Sequence, residues 1–221
     1  MMWAAGTAAA AAVVAYWQIV GPGYTWLTAS LVASIGFGGW FFGPRPLLLV
    51  ASGLAVGAVV LARRGVAAAL LLGLATVSFL VEAFGSGAPL LALSGSVALG
   101  GITAEMLLGH WYLISPQMPR WALRRLDVAA AVGVGLDVVL LVLAGALAGI
   151  SGLGVAVFGG LAGMSVLLMI GVWYSLKEPS YPGVMAATGL SYLAVLTSLG
   201  ATALGRTLLD GSSTFLPFDR L

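Results

Sequence analysis

The chain has 221 residues, of which 61% are hydrophobic and only 7% are charged. About a quarter of the residues in an ordinary soluble protein are charged, so this composition excludes a soluble enzyme, a nucleic-acid-binding protein and a disordered tail. The formal net charge of +2 is too small to indicate a polyanionic partner such as a nucleic acid. The composition is that of a polytopic membrane protein.

The sequence contains no cysteine and a single histidine, His110. It therefore offers no thiolate metal site, no iron–sulfur ligation and no c-type haem attachment, and we expect no metal site and no covalently bound cofactor. Haem is not expected either, because a second ligand on the short segment around His110 cannot reach the opposite face of the macrocycle.

Crossing the ~30 Å of hydrocarbon in a bilayer takes roughly 20 apolar residues per helix. Eight runs fit, at about 2–20, 25–42, 46–62, 66–84, 88–114, 126–149, 152–176 and 183–204. The sequence thus predicts an all-α transmembrane bundle of about eight spans, with residues 1–204 as one domain and 205–221 as a short extramembrane tail. Because the third and fourth runs are short, seven spans is the alternative.

The Lys and Arg residues are divided unequally between the predicted loops. Six of the nine follow the first, third, fifth and seventh runs, and the other three are Arg45, Arg206 and Arg220. Since cytoplasmic loops carry the excess of positive charge, both termini are predicted to lie outside. The expected location is a bacterial-type inner (cytoplasmic) membrane.

A short pattern recurs in the second half of the chain. Residues Gly109-His110-Trp111-Tyr112 lead to Pro116 and Pro119, and residues Gly171-Val172-Trp173-Tyr174 lead to Pro179 and Pro182. The offset equals two helices with their loops, so the hairpins of spans 5–6 and 7–8 are predicted to be parallel copies of one unit.

Three carboxyl residues within the predicted spans, Glu82, Glu105 and Asp137, are candidates for a proton or ion pathway. Counted from the cytoplasmic loop, Glu105 lies nine residues from Ile114 and Asp137 lies eleven from Leu126. This count predicts that the two side chains share a depth and meet in an antiparallel hairpin, where they could share a proton or hold a cation. The alternative is that each is protonated and hydrogen-bonds separately across the bundle.

The end of the fifth run and the following loop suggest a second candidate site. A titratable donor, flat aromatic rings and a cluster of arginines near one membrane face suit a quinone or an anionic lipid. Prolines end the fifth helix there, and the arginines are predicted to lie on a short interfacial helix with Trp121 and Leu123. The alternative is an aromatic belt with a positive-inside anchor. The predicted quinone- or lipid-binding residues are His110, Trp111, Tyr112, Arg120, Arg124 and Arg125.

No catalytic residues are predicted. Ser94 and Ser96 stand 14 to 16 residues before His110 in one predicted helix, which separates them by over ~20 Å of helical rise. A serine–histidine dyad requires hydrogen-bond contact.

Two functions remain. The first is a non-catalytic membrane subunit of a larger energy-converting complex, respiratory or photosynthetic, with other membrane subunits and lipids as partners and a quinone or lipid site near His110. The second is a small multipass transporter or channel that uses Glu105 and Asp137 for proton or cation coupling. Short loops favour the first, and the intramembrane carboxyls favour the second.

Overall fold

The protein is described here by a computed structural model that covers residues 1–85, 87–115, 118–147 and 152–213. These residues contain eight helices and no strand, as the all-α prediction requires. The helices are α1 (Met2–Trp17), α2 (Pro22–Phe42), α3 (Pro46–Val60), α4 (Gly65–Phe84), α5 (Pro89–Ile114), α6 (Trp121–Leu143), α7 (Gly152–Ser175) and α8 (Tyr181–Ser213).

Six of the described helices are long and apolar enough to cross a membrane. The two shorter apolar helices are α1 and α3, with 16 and 15 residues. The sequence predicts instead that the third and fourth runs, which form α3 and α4, are the short ones. Helix α4 has 20 residues, because its pattern continues from Gly65 to Phe84 without a break. A multipass membrane fold is therefore supported, and the eighth span and the hairpin repeat stay predictions.

Local sequence explains three of the helix starts. Proline occupies the first turn of α2, α3 and α5 at Pro22, Pro46 and Pro89, where its missing N–H breaks no helical hydrogen bond. The prediction of a separate interfacial helix before residue 126 is wrong, because Trp121 is the first residue of α6 itself. At the other end, α8 continues as helix to Ser213, beyond the predicted end of the last span.

The helices pack as two groups of four. In the first group α2 packs on α3, α3 on α4 and α4 on α1, and in the second α5 packs on α6 and α8, and α7 on α8. Helix α5 is the central element, since it also packs along α1 and 72% of its most apolar stretch is buried. This central position brings polar residues of α5 into contact with two neighbouring helices.

The two groups meet where two glycines let backbones touch. A Cβ atom added at Gly6 of α1 would lie 1.8 Å from the Ser96 carbonyl oxygen, and one added at Gly100 of α5 would lie 2.0 Å from the Gly6 carbonyl carbon. No side chain fits in such a gap. Small residues allow this close approach of helices in lipid.

Some predicted features fall on residues that are not described. They are Pro116, the separator at 149–151, and the part of the tail from residue 214 onward.

Candidate functional site

Contacts across the α5–α6 hairpin define which residues face each other. Gly101 lies against Ala130, Gly133 lies against Ala98, and Ser94 hydrogen-bonds to Asp137. All three contacts follow one antiparallel alignment, which places Leu126, the neighbour of Asp127, and not Asp137, opposite Glu105. The predicted pairing of Glu105 with Asp137 is wrong.

Part of this error comes from the assumed start of α6, which lies five residues too late in the chain. The depth count began at Leu126, whereas α6 begins at Trp121 and the hairpin turn is correspondingly tighter. Ser94, which contacts Asp137, and Glu105 are eleven residues apart on α5, or about 16 Å along the helix axis. The two carboxyls therefore occupy different depths.

Asp137 lies in a complete polar network between α5, α6 and α8. Arg206 of α8 holds both of its carboxylate oxygens, with nitrogen–oxygen distances of 2.8 and 3.0 Å. Ser94 donates to Oδ1 at 2.7 Å, and Thr202 donates to Oδ2 at 3.3 Å. Arg206 also donates to the Leu91 carbonyl at 2.7 Å. With side-chain exposures of 18% for Arg206 and 3% for Asp137, this is a buried bidentate ion pair.

This pair is not among the contacts predicted from the sequence, because Arg206 falls within the predicted extramembrane tail. In the structure Arg206 is part of α8 and reaches back to Asp137. A signal was available: Arg206 follows Thr202 and Ser198 at helical spacing, so these polar side chains share one face of α8.

Glu105 lies fully buried at the other polar level, on the face of α5 that meets α8. Its Oε2 accepts a short hydrogen bond from Ser191 of α8, and its Oε1 has no partner among the described residues. Tyr24 of α2, also fully buried, donates a 3.4 Å hydrogen bond to the Ala104 carbonyl. No salt bridge in the described part of the chain involves Glu105.

Asp127 of α6 is the carboxyl that lies near Glu105. It is 2% exposed, its Oδ1 has no partner among the described residues, and it is the residue next to the α6 position that faces Glu105. Asp127 is not among the residues predicted for the site, because residue 127 falls at the very start of the predicted sixth span. Continuing the helix back to Trp121 would have moved it inside. Together, Glu105, Asp127, Ser191 and Tyr24 form what we call the carboxyl pair site.

An apolar layer separates the carboxyl pair site from the Asp137–Arg206 network. Ile102, Ala194 and Met169 are buried there and pack with Ala98, Ala130 and Val134. On α8, however, buried hydroxyl residues are found along one helical face at both levels. These are Thr188, Ser191, Ser198 and Thr202, of which Ser198 has no hydroxyl partner in the described structure.

Glu82 lies apart from both polar levels. It forms an ion pair with Arg45 at 3.3 Å, and the Arg45 side chain is 57% exposed. This pair joins the end of α4 to the start of α3, so Glu82 does not line an internal path with Glu105 or Asp137.

The six residues predicted to bind a quinone or lipid do not converge on one site. His110 is exposed, and its described partner is the Tyr192 hydroxyl at 3.4 Å. Trp111 packs edge-on against Tyr24 and covers Gly23 of α2, while Tyr112 is buried in the core. Neighbours in sequence therefore face different helices, as the helical rotation of about 100° per residue requires.

The three arginines also have separate roles. Arg120 donates to the carbonyl oxygens of Glu178, Pro179 and Ser180, and Arg124 donates to that of Leu176. These two side chains tie the start of α6 to the α7–α8 connection. Arg125 points elsewhere and stacks on Trp121, with its guanidinium carbon 4.7 Å from the ring centre.

Within the described residues, no group of three or more His, Asp or Glu side chains is placed to hold a metal ion. The carboxyl pair site thus offers two carboxyl groups, the hydroxyl groups of Ser191 and Tyr24, and no basic partner among the residues that the structure describes. Comparisons with protein-family models, with curated proteins and with solved structures find no match for this chain.

Proposed function

We propose that this protein is a small membrane transporter or channel that moves protons, and that the carboxyl pair site is where it binds them. The observation that carries the proposal is that Glu105 and Asp127 lie at one level of the α5–α6 hairpin. Both are buried within membrane helices, each has a carboxyl oxygen without a partner in the described structure, and no described cation neutralises them. Ionisable groups in such places are costly and mark proton relays in membrane proteins.

The chemistry of the pair suits proton exchange. Two bare carboxylates in a low-dielectric interior repel each other, so the pair is expected to hold a proton that either residue can carry. Ser191 can accept or donate as that proton moves, because a hydroxyl does both. The proton then enters or leaves at Glu105 Oε1 and Asp127 Oδ1, the two oxygens that have no hydrogen-bond partner in the described structure.

Asp137 is expected to have a different role. Its two oxygens are already bound by Arg206, Ser94 and Thr202, so neither oxygen is left without a partner. We therefore assign Asp137 to the structure of the bundle and replace it with Asp127 in the proposed pathway.

The hydroxyl face of α8 supports a route away from the pair. Ser191, Ser198 and Thr202 lead from Glu105 towards the other polar level, and the layer around Ile102 and Ala194 interrupts it. Conduction would require water to enter this layer. In the predicted orientation the carboxyl pair lies towards the cytoplasm, so the layer would separate it from the outer side.

Proton flux in proteoliposomes tests this function. The purified chain is reconstituted with a pH-sensitive dye inside, and a potassium diffusion potential is applied with valinomycin. Wild-type protein should acidify or alkalinise the lumen faster than protein-free vesicles, and Glu105→Gln and Asp127→Asn should abolish this difference. Glu82→Gln is the matched control, because it removes a carboxyl that lies outside the pair.

Flux that equals that of protein-free vesicles would contradict the proposal. Flux that persists at the wild-type rate in the double variant Glu105→Gln/Asp127→Asn would remove the pair from the pathway.

A second candidate function is that of a subunit in a larger membrane assembly, including an energy-converting complex. The observation that favours it is a groove of about 460 Å³ between α6 and α7, lined by Gly135, Gly159 and Gly163. Gly159 and Gly163 have the spacing at which membrane helices pack closely, but a Cβ at either would meet nothing within 4 Å. A packing surface of this kind suits a helix from a partner protein.

Gentle purification followed by cross-linking checks this candidate. A single additional membrane protein cross-linked through α7, and lost in a Gly159→Leu/Gly163→Leu variant, would support it. A chain that runs alone in both forms would count against it.

A further inference from the structure

A groove along α1 includes none of the residues of the carboxyl pair site in its lining. It lies between α1, α4, α5 and α6 and has a volume of about 310 Å³, within the usual range of ligand pockets. Its wall on α1 consists of small residues, Ala5, Gly6, Ala9 and Ala10, followed by Val13 and Trp17. Apart from Arg125, the lining is almost entirely apolar.

The groove has the length of one membrane leaflet. Ala5 and Trp17 mark its two ends on α1 and are twelve residues apart, which corresponds to about 18 Å of helical rise. Half of the ~30 Å hydrocarbon core is about 15 Å. A single extended acyl chain that enters from one membrane face therefore matches the groove along its whole length.

One end of the groove carries a cation and two aromatic rings. Arg125 lines the groove and stacks on Trp121, and Trp121 packs edge-on against Trp17 with ring centres 4.8 Å apart. These residues lie at the C-terminal end of α1 and the N-terminal end of α6, on one face of the bundle. Tryptophan side chains settle at the level of lipid headgroups.

Among Arg120, Arg124 and Arg125, Arg125 is the one whose guanidinium is available to bind a ligand. Arg120 and Arg124 are engaged with backbone carbonyls of the α7–α8 connection. Arg125 is exposed, and in the described part of the chain no carboxylate pairs with it. A guanidinium presents paired N–H donors that match the oxygens of a phosphate.

We propose that this groove binds one anionic phospholipid, with an acyl chain along α1 and the phosphate against Arg125. The charge of Arg125 is what selects a phospholipid of net negative charge over a neutral amphiphile, since the apolar part of the groove accepts either. The site is separate from the carboxyl pair site, and it would persist if the proton-transfer function failed.

Native mass spectrometry of the full chain tests the proposal. The protein is released from micelles that contain equal amounts of phosphatidylglycerol, phosphatidylcholine and a long-chain quinone. Wild-type protein should retain phosphatidylglycerol preferentially. Arg125→Gln should lower that retention by roughly tenfold or more, the effect of one lost charge-assisted hydrogen bond.

Two further variants complete the test. Arg63→Gln is the matched control, since Arg63 is on a different groove, near Trp26, and its loss should leave retention unchanged. Ala9→Phe fills the apolar part and should displace the lipid although Arg125 is intact. Equal retention of the two lipids by wild-type protein, preferred retention of the quinone, or unchanged binding in Arg125→Gln or Ala9→Phe would each overturn the proposal.

Discussion

Ser94 of α5 donates a 2.7 Å hydrogen bond to Asp137 of α6. The alignment of α5 with α6 that this contact defines differs by eleven residues, about three helical turns, from the alignment in which Asp137 would face Glu105. The shift changes the chemistry of both carboxyls. One is neutralised by an arginine, and the other is placed beside a second acid.

The hairpin alignment can be checked by disulfide formation, because the chain has no cysteine of its own. The pair Gly101→Cys/Ala130→Cys should cross-link on oxidation, because an added Gly101 Cβ would lie 3.0 Å from the Ala130 Cβ and a slight separation of the helices gives the ~3.5–4.5 Å of a disulfide. The control pair, Gly101→Cys/Leu141→Cys, tests the alignment that would bring Glu105 to Asp137, and it should stay uncross-linked. Cross-linking of the control pair, without cross-linking of Gly101→Cys/Ala130→Cys, would instead support the predicted pairing of Glu105 with Asp137.

Breaking the Asp137–Arg206 ion pair should strongly destabilise the fold. Arg206→Gln leaves the buried Asp137 carboxylate without its counter-charge, and we expect a loss of about 3–5 kcal/mol in the free energy of unfolding. Adding Asp137→Asn should recover part of this loss, because no unpaired charge then remains. Denaturant titration in mixed micelles measures both values.

The exposed ion pair supplies the control for that experiment. Arg45→Gln removes the partner of Glu82 where Arg45 is 57% exposed, and the expected loss is about 0–1 kcal/mol. Losses of similar size at Arg45 and Arg206 would mean that the buried pair does not hold α8 against α6.

The carboxyl pair site should tolerate neutral substitutions. Glu105→Gln keeps an oxygen that can accept from Ser191, and Asp127→Asn removes the neighbouring charge, so both variants should fold with stabilities within about 1 kcal/mol of wild type. Glu105→Lys, in contrast, places a long cation in a fully buried position and should lower the yield of folded protein. Size-exclusion profiles and thermal midpoints in detergent measure these effects. If Glu105→Gln unfolded the protein, a purely structural role for the charged form would be indicated.

The contact between α1 and α5 should be intolerant of any side chain. In Gly6→Ala the new methyl group would lie 1.8 Å from the Ser96 carbonyl oxygen, so the helices must separate, at a cost of about 1–3 kcal/mol or more. Gly38→Ala on α2 is the matched control, because nothing lies within 4 Å of its Cβ position. That variant should be neutral or slightly stabilising. Equal thermal midpoints for the two variants would disprove the close contact.

His110 should be dispensable for stability. Its side chain is exposed, and its described contact is a long hydrogen bond to Tyr192. His110→Ala should therefore change the free energy of unfolding by no more than about 0.5 kcal/mol, and it should leave phosphatidylglycerol retention at the wild-type level. A loss of lipid comparable to that of Arg125→Gln would place His110 at the binding site after all.

The class of fold could be predicted from composition and run length, because the bilayer imposes both on any helix that crosses it. Helix ends were less predictable. Trp121 to Arg125 is polar enough to resemble an interfacial loop, yet Ala122 and Leu123 are buried as the first turn of α6. The start of α6 at Trp121, and not at residue 126, accounts for five of the eleven residues by which the predicted hairpin alignment differs from the observed one.

The partners of the polar residues depend on packing between helices that are distant in sequence. Arg206 is 69 residues from Asp137, and Ser191 is 86 residues from Glu105. The pattern along one helix shows that such residues share a face, but not which helix that face meets. The residues of the predicted site at His110 are spread over different contacts for the same reason, since adjacent residues on a helix point towards different neighbours.

The contact of Gly6 with Gly100 also constrains how the two groups of helices can move. Because backbone touches backbone there, one group cannot slide along the other without forcing these atoms together or pulling them apart. Rotation about the contact keeps the distance unchanged. The point where α1 crosses α5 is therefore a pivot, and any rocking of α1–α4 against α5–α8 would open gaps at the two membrane faces and leave this crossing closed.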